Sequence, residues 1–287
     1  MTLVNTADLI RAADRDGCAL GGFNIYNLEG VRAVVAAAEA TRSPVILQIH
    51  PAALRHGGRP LVALCLSAAQ EASVPAAVHL DHSTELADIQ VALEMGIPSV
   101  MADGSHLPYA DNLAYIRQVT ALAATMGASV EAELGRISGT EDGLSVADYE
   151  ARMTDPDQAA AFVQQTNIDL LAVCIGNVHG VYRQPPRLDF DRLAAIDRAV
   201  AIPLVLHGAS GLDDALIRQA IRCGVRKFNV NTEVRQAYLD TLKTALVTSP
   251  SVDLVPLMQQ AQHAMQAVVA EKMALFGSAG RADPITG

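Results

Sequence analysis

The chain predicts a single α/β domain, a (β/α)8 barrel, and three observations carry that expectation. Eight short apolar or β-branched runs alternate with longer segments of helical periodicity along 287 residues, the local pattern of repeated βα units. Polar and ionisable residues stand at the C-terminal ends of those runs, where such barrels present their chemistry. Hydrophobic residues make up 51% of the chain but aromatics only 4%, with no Trp. Ala, Val, Leu and Ile of this kind suit the stacked side-chain layers of a TIM barrel. A prior of roughly 150 residues per domain would allow two domains, but barrels of about 250 residues form one. No linker-like stretch divides residues 1–287. A doubly wound open sheet gives the same local pattern and is the alternative architecture.

The strand-like runs cover 19–24, 45–49, 76–81, 97–103, 128–133, 170–176, 202–207 and 225–230. Most are continuously apolar, as expected of parallel strands buried on both faces. Between them, 28–41, 84–95, 111–126 and 212–223 repeat apolar residues at spacings of three and four. Thr84 reads as an N-cap, and Gly96, Gly127 and Gly224 read as helix stops. Residues 134–155 carry Gly135, Ser138, Gly139, Thr140, Glu141, Asp142 and Gly143 with little apolar content. They read as a long mobile loop over the site. Residues 232–276 read as a C-terminal helical region.

The formal charge is −10 with no basic stripe, which argues against nucleic-acid binding. No run reaches about 18 apolar residues, so no membrane span is expected. The N-terminal residues lack a basic, then apolar, signal pattern. Cys18, Cys65, Cys174 and Cys223 form no C-x-x-C pair and read as free thiols of a cytoplasmic protein.

The chemistry gathers at the strand ends. Val78-His79-Leu80-Asp81-His82 is an apolar run ending in proton- and metal-binding side chains. With His179 and His207, His82 offers three imidazoles from three strands, which would leave zinc an open, catalytic position. There is no H-E-x-x-H, so these ligands must converge in space. Asp103 and Glu133 join them as metal candidates. Glu131 shares a strand face with Glu133 and either tunes the metal or braces the site. His79, deeper on the strand, reads as structural. Asp81 beside a metal can exchange a proton with a bound hydroxyl, or else orient a histidine. Glu141 is either a solvated charge or a proton carrier delivered when the loop closes. Asn24 and His50 end the first two strands. Gly208-Ala209-Ser210-Gly211 and Asn229-Val230-Asn231-Thr232 each open a helix after the last two strands, where backbone N–H groups cradle phosphate.

At these residues the sequence resembles the class II (zinc-dependent) fructose- and tagatose-bisphosphate aldolases along nearly its whole length. The resemblance is carried by Gly22-Phe23-Asn24, H-L-D-H at 79–82, Asp103-Gly104-Ser105-His106, S-V-E-A-E-L-G at 129–135, H-G-A-S-G at 207–211, N-V-N-T at 229–232 and Phe276-Gly277-Ser278-Ala279-Gly280. It implies cleavage of a ketose 1,6-bisphosphate to dihydroxyacetone phosphate and an aldehyde such as glyceraldehyde 3-phosphate. It implies Zn2+ on His82, His179 and His207, with a monovalent cation nearby. Asp81 becomes the proton donor and acceptor at the aldehyde-derived hydroxyl, Glu141 the proton carrier for the ketone half, and Asn229 the group that steadies the enediolate. Gly180, Gly208, Ala209, Ser210, Asn231 and Thr232 become contacts to the substrate around its phosphate. Arg235 matches an arginine that, in some relatives, reaches the distal phosphate from a neighbouring subunit of a homodimer or homotetramer. Two stretches depart from the family pattern: His50-Pro51-Ala52-Ala53, where a small hydroxyl residue and a Gly-Ala turn are commoner, and Gly176-Asn177-Val178-His179. They leave open a related substrate such as 6-phospho-5-dehydro-2-deoxygluconate. Rival readings are a Schiff-base aldolase using Lys227, a zinc hydrolase, and a non-catalytic sugar-phosphate binding barrel.

Overall fold

The computed structural model describes residues 2–141, 144–146, 153–179, 187–248, 251 and 253–282; for 138–141, 144–146 and His179 it describes the backbone. In chain order the strands are β1 Leu20–Asn24, β2 Val45–Ile49, β3 Ala76–Ser83, β4 Ser99–Ala102, β5 Ser129–Leu134, β6 Ser138–Glu141, β7 Leu144–Val146, β8 Leu170–Val173, β9 Val178–His179, β10 Leu204–Leu206 and β11 Val225–Val230. The helices are α1 Thr6–Asp16, α2 Leu28–Thr41, α3 Pro51–Glu71, α4 Leu86–Glu94, α5 Tyr109–Thr125, α6 Pro156–Thr166, α7 Phe190–Ala199, α8 Asp214–Arg222, α9 Thr232–Thr248 and α10 Leu254–Phe276.

Eight parallel strands close into a barrel in the order β1-β11-β10-β8-β5-β4-β3-β2, which settles the choice between barrel and open sheet. Each of the eight expected runs supplies one strand. Three runs overshoot: β4 stops at Ala102, β8 at Val173 and β10 at Leu206, and the residues beyond carry polar side chains over the rim. Outward-facing strand residues pack under the helices in one large apolar cluster that includes Val34, Ala37, Leu47, Val78, Ile89, Ile116, Phe162 and Phe228.

The lower interior is a second apolar cluster. Leu20, Ile46, Ala77, Met101, Leu170, Ala172 and Val205 point inward from six strands, and Leu9, Ile10 and Ala13 of α1 pack against them. The helix α1 thus plugs the N-terminal mouth. It is held by Asn5, whose side chain accepts the Ala7 N–H, and by Gly17 in the left-handed region.

Several boundaries differ from the sequence expectation. Helix α4 starts at Leu86 with Glu85 at the cap and no side-chain cap bond, not at Thr84. The reason lies in β3, which runs on to Ser83 and gives its carbonyl to the Asp103 N–H. The chain cannot turn helical until that pairing ends. Gly96, Gly127 and Gly224 do follow their helices at positive φ. Residues 134–155 are not wholly irregular: β6 and β7 form an antiparallel hairpin, and β9 pairs with β6 in parallel. Ser138-Gly139-Thr140-Glu141 carries no apolar alternation, so the pattern hid that strand. The C-terminal region is only partly an extension. The long helix α10 packs on α2, β1 and α8 as well as α9, so it fills the gap in the helical ring between α8 and α2. No helix among the described residues is long and apolar enough to cross a membrane.

Candidate active site

Strand alternation places His79 and Asp81 on the inner face of β3. The next residue should point outward, but the register slips between Leu80 and Ser83, and His82 takes a φ of 40°. That irregularity turns two consecutive side chains inward. Asp81 is buried, with Oδ1 accepting from Asn229 Nδ2 at 2.9 Å and Oδ2 from Asn24 Nδ2 at 3.2 Å. Gln48 Nε2 donates to Asn24 Oδ1 at 3.3 Å. The Gln48 amide lies so close over β1 that a Cβ at Gly22 would run into the buried Gln48 side chain, which favours a glycine there.

His82 Nδ1 lies 3.0 Å from Asp103 Oδ2, and its Nε2 lies 2.7 Å from His207 Nδ1. The two rings meet edge-on at 4.4 Å between centroids. His207 Nε2 lies 2.8 Å from Glu131 Oε1, and its Nδ1 is 3.7 Å from Glu133 Oε2. Because a carboxylate only accepts, His207 donates through Nε2, and its Nδ1 is an acceptor. The proton between the rings therefore belongs to His82. Burial alone would lower the pKa of His82, but the Asp81, Asp103 and Glu133 carboxylates outweigh it and hold that pKa well above the ordinary value. His207 is pushed down to about 4 by burial and by the charge of His82. Burial and the neighbouring Asp103 raise Glu133 well above the carboxylate range. Asp103 is held low, its own burial being overcome by hydrogen bonds from His82 and the Ser105 N–H.

These donors fit a divalent cation. Ligand atoms of Asp81, His82 and His207 lie within 4.8 Å of one another, as do those of His82, Asp103 and Glu133. All five residues are buried, and Glu133 Oε2 has no hydrogen-bond partner among the described residues. Nitrogen and carboxylate donors of this kind suit zinc or a similar first-row metal, and a cation there would replace the proton that the two imidazoles share.

Beneath the metal position lies a buried polar layer that the sequence reading did not assemble. Lys227 Nζ lies 2.9 Å from Glu131 Oε2 and donates to Asn229 Oδ1 at 2.7 Å. Glu131 is held below the usual carboxylate range, burial being outweighed by Lys227 and His207. His79 Nδ1 meets Ser99 Oγ at 2.7 Å, and burial, with Lys227, pushes its pKa down to about 3. Lys227 shares a strand face with Asn229, and that was the available signal. Its ammonium is engaged by both Glu131 and Asn229 inside the barrel.

At the rim, His50 is buried and caps α3, its Nδ1 accepting the Ala52 N–H at 3.1 Å. Asn177 is a clamp between turns: it accepts the Ile175 N–H and donates to the His207 carbonyl at 3.1 Å. Gly208 and Gly211 both have positive φ. The Gly211 N–H donates to Glu233 Oε1 at 3.3 Å, and Lys272 holds the other oxygen at 2.7 Å, so a carboxylate braces this turn. Ala209 and Ser210 are buried there. Asn231 Oδ1 accepts from the Tyr26 hydroxyl at 2.9 Å, Thr232 opens α9, and Arg235 is half-buried in its first turn. The backbone of His179 pairs with Gly139, but its side chain, that of Glu141, and Gly180 lie outside the described residues.

A barrel that gathers an oriented carboxylate and a metal-binding cluster at its C-terminal rim is an enzyme scaffold of the metal-assisted lyase or hydrolase kind. The model of the class-II fructose-bisphosphate aldolase family matches residues 4–281. A protein from Coccidioides immitis, provisionally assigned as a fructose-1,6-bisphosphate aldolase, is 35% identical with a TM-score of 0.92, over 97% of this chain and 98% of its own. The YdjI aldolase from Escherichia coli K12 is also 35% identical, with a TM-score of 0.88 over 98% and 100%. A fructose-bisphosphate aldolase from Campylobacter jejuni shares the fold at 20% identity and a TM-score of 0.80, over 96% of both chains. The chain belongs to the class-II fructose-bisphosphate aldolase family and is a metal-dependent aldolase, a carbon–carbon lyase.

Proposed function

We propose that the protein is a zinc-dependent aldolase that reversibly cleaves a ketose 1,6-bisphosphate, of fructose or tagatose type, to dihydroxyacetone phosphate and glyceraldehyde 3-phosphate. The observation that carries this reading is the Asp81 carboxylate, fixed by the Asn24 and Asn229 amides with its oxygen within 4.8 Å of the His82 and His207 ligand atoms. Zinc held there by His82, His207 and His179, with Glu133 and Asp103 beside them, would supply an electrophile for the charge that develops on the ketone half.

Asp81 takes the proton from the hydroxyl on carbon four. The bond between carbons three and four breaks, its electron pair staying with carbon three as carbon four becomes the aldehyde. Asn229 steadies the enediolate, and Glu141 returns a proton to carbon three when the 134–155 loop closes. Gly180 and the 208–210 turn, with Asn231 and Thr232, hold the near phosphate, a monovalent cation assisting. Arg235 of a neighbouring subunit in a homodimer or homotetramer grips the far phosphate by its planar fork. The setting is cytoplasmic carbohydrate metabolism of glycolytic type.

A second reading, a deoxy-keto-gluconate phosphate as substrate, is favoured by His50. Its ring stands at the rim end of β2, one step past the Ile49–Leu80 pair and so level with Asp81. The test is purified enzyme against fructose, tagatose and deoxy-keto-gluconate phosphates, with release of dihydroxyacetone phosphate as readout. Chelation abolishes turnover, zinc or cobalt restores it, and borohydride traps no adduct. A chelated enzyme at full rate, inactivated by borohydride at Lys227, would overturn the proposal.

A further inference from the structure

Lys227 is one of only three lysines in the chain, and its side chain is wholly inside the barrel. Burying an ammonium is costly, and a methylene stem would fill the same space. An ammonium only donates, so each of its contacts fixes the direction of a further bond. With Oδ1 held by Lys227 at 2.7 Å, the Asn229 amide presents nitrogen to Asp81, and Nδ2 donates at 2.9 Å. A flipped amide would set oxygen against the carboxylate. With Oε2 held at 2.9 Å, Glu131 turns Oε1 to His207 Nε2 at 2.8 Å. That contact keeps the His207 proton on Nε2 and leaves the Nδ1 lone pair facing His82 and Glu133. The other tautomer would point an N–H at the metal position.

We propose that Lys227 is a positioning residue whose one buried ammonium sets two arms of the site together: the Asn229 amide on Asp81 and the His207 tautomer at the metal position. The kinetic half of this rests on the roles given above to Asp81 and Asn229; the metal half needs no substrate.

Lys227→Met keeps the stem and removes the charge. It also leaves Glu131 buried without its partner, so the Lys227→Met/Glu131→Gln double variant, neutral at both positions and read against Glu131→Gln alone, guards against a failure to fold. Zinc affinity is read by competition with a chromophoric chelator. The His207 Nε2–H is followed by 15N NMR of the zinc-free protein, assigned through His207→Gln. In whichever variant folds, zinc affinity falls ~10–100-fold, the bonded Nε2–H resonance disappears, and kcat falls with little change in KM. A folded variant with wild-type zinc affinity and an unmoved His207 resonance overturns the proposal, whatever happens to turnover. Should the wild-type enzyme cleave no ketose phosphate while the variants still lose zinc and the resonance, the substrate reading fails and the control of His207 by Lys227 stands.

Discussion

The lower and upper halves of the barrel interior share several strands and have opposite chemistry. β1 gives Leu20 below and Asn24 above, β2 gives Ile46 and Gln48, β3 gives Ala77 and then His79 and Asp81, and β10 gives Val205 just before the turn that carries His207. Two to four residues along a strand, one or two steps of the inner face, change apolar filling into buried polar groups. The lower half removes apolar surface from water under α1, which stabilises the fold. The upper half takes carboxylates, imidazoles and an ammonium out of water and offsets that cost only by pairing them, so it adds little net stability. The contrast teaches that stability and chemistry are separable here by depth.

The largest effect should come from crossing the two halves. Asp81→Ala should lower carbon–carbon cleavage by ~10²–10⁴-fold while zinc stays on the histidines; the Asn24 and Asn229 amides left without their acceptor should cost about 1–3 kcal/mol of stability. Exchange of the ketone-half proton should survive better, since that step is assigned to Glu141. Leu170→Ala, in the plugged half, should lower stability by about 2–5 kcal/mol and leave kcat of the folded enzyme intact. Cleavage assays and denaturant titrations of both variants decide it. Equal loss of cleavage and exchange in Asp81→Ala would mean that its role is misassigned, and a dead but stable Leu170→Ala would end the separation by depth.

This separation also marks what the sequence made legible. Buried parallel strands are continuous apolar runs, so all eight could be located, and the C-terminal ends of those runs located His82, Asp81, Asp103, Glu133 and His207. Direction and partnership were not visible. The inward turn of both Asp81 and His82 depends on a register slip and a positive φ at His82, which no local propensity announces. Asn177 lies in a stretch that departs from the family pattern, and its amide serves three backbone groups. Lys227 could be placed on the face of Asn229, but its pairing with Glu131 from three strands away is a property of closure. The α9–α10 stretch read as an extension because helical periodicity says nothing of which ring position a helix fills.

A smaller effect tests the seam between the halves, where His79 lies under the site. Its folded pKa is about 3, lowered first by burial, against about 6.5 when unfolded. The unfolded chain therefore binds a proton that the folded chain refuses. Stability from this group is complete above about pH 6.5 and is lost as pH falls toward 3, by up to about 1.4 kcal/mol per pH unit. Urea titrations of chelated enzyme between pH 7 and 5 should show that slope, and His79→Gln should make it shallower, with His207, pushed down to about 4, contributing part of what remains. An unchanged slope in the variant would remove His79 as the acid-sensitive element of the seam.

The smallest expected change concerns the rim itself. His50 is an N-cap whose Nδ1 accepts the Ala52 N–H at 3.1 Å, so the neutral ring carries its proton on Nε2. Serine is also a good N-cap, and His50→Ser should therefore preserve α3. Adding Ala52→Gly loosens the first turn at a cost of about 1 kcal/mol. What the swap removes is the bulk and the ring donor level with Asp81. If that ring meets the substrate, it favours an anionic or differently configured group over plain fructose 1,6-bisphosphate. The swapped enzyme should then shift preference toward fructose bisphosphate by about tenfold, the scale of one modest pocket contact. The measurement is kcat/KM for fructose, tagatose and deoxy-keto-gluconate phosphates in both proteins. A wild type that already handles fructose bisphosphate best, with a ranking untouched by the swap, would leave His50 as a helix cap with no part in specificity.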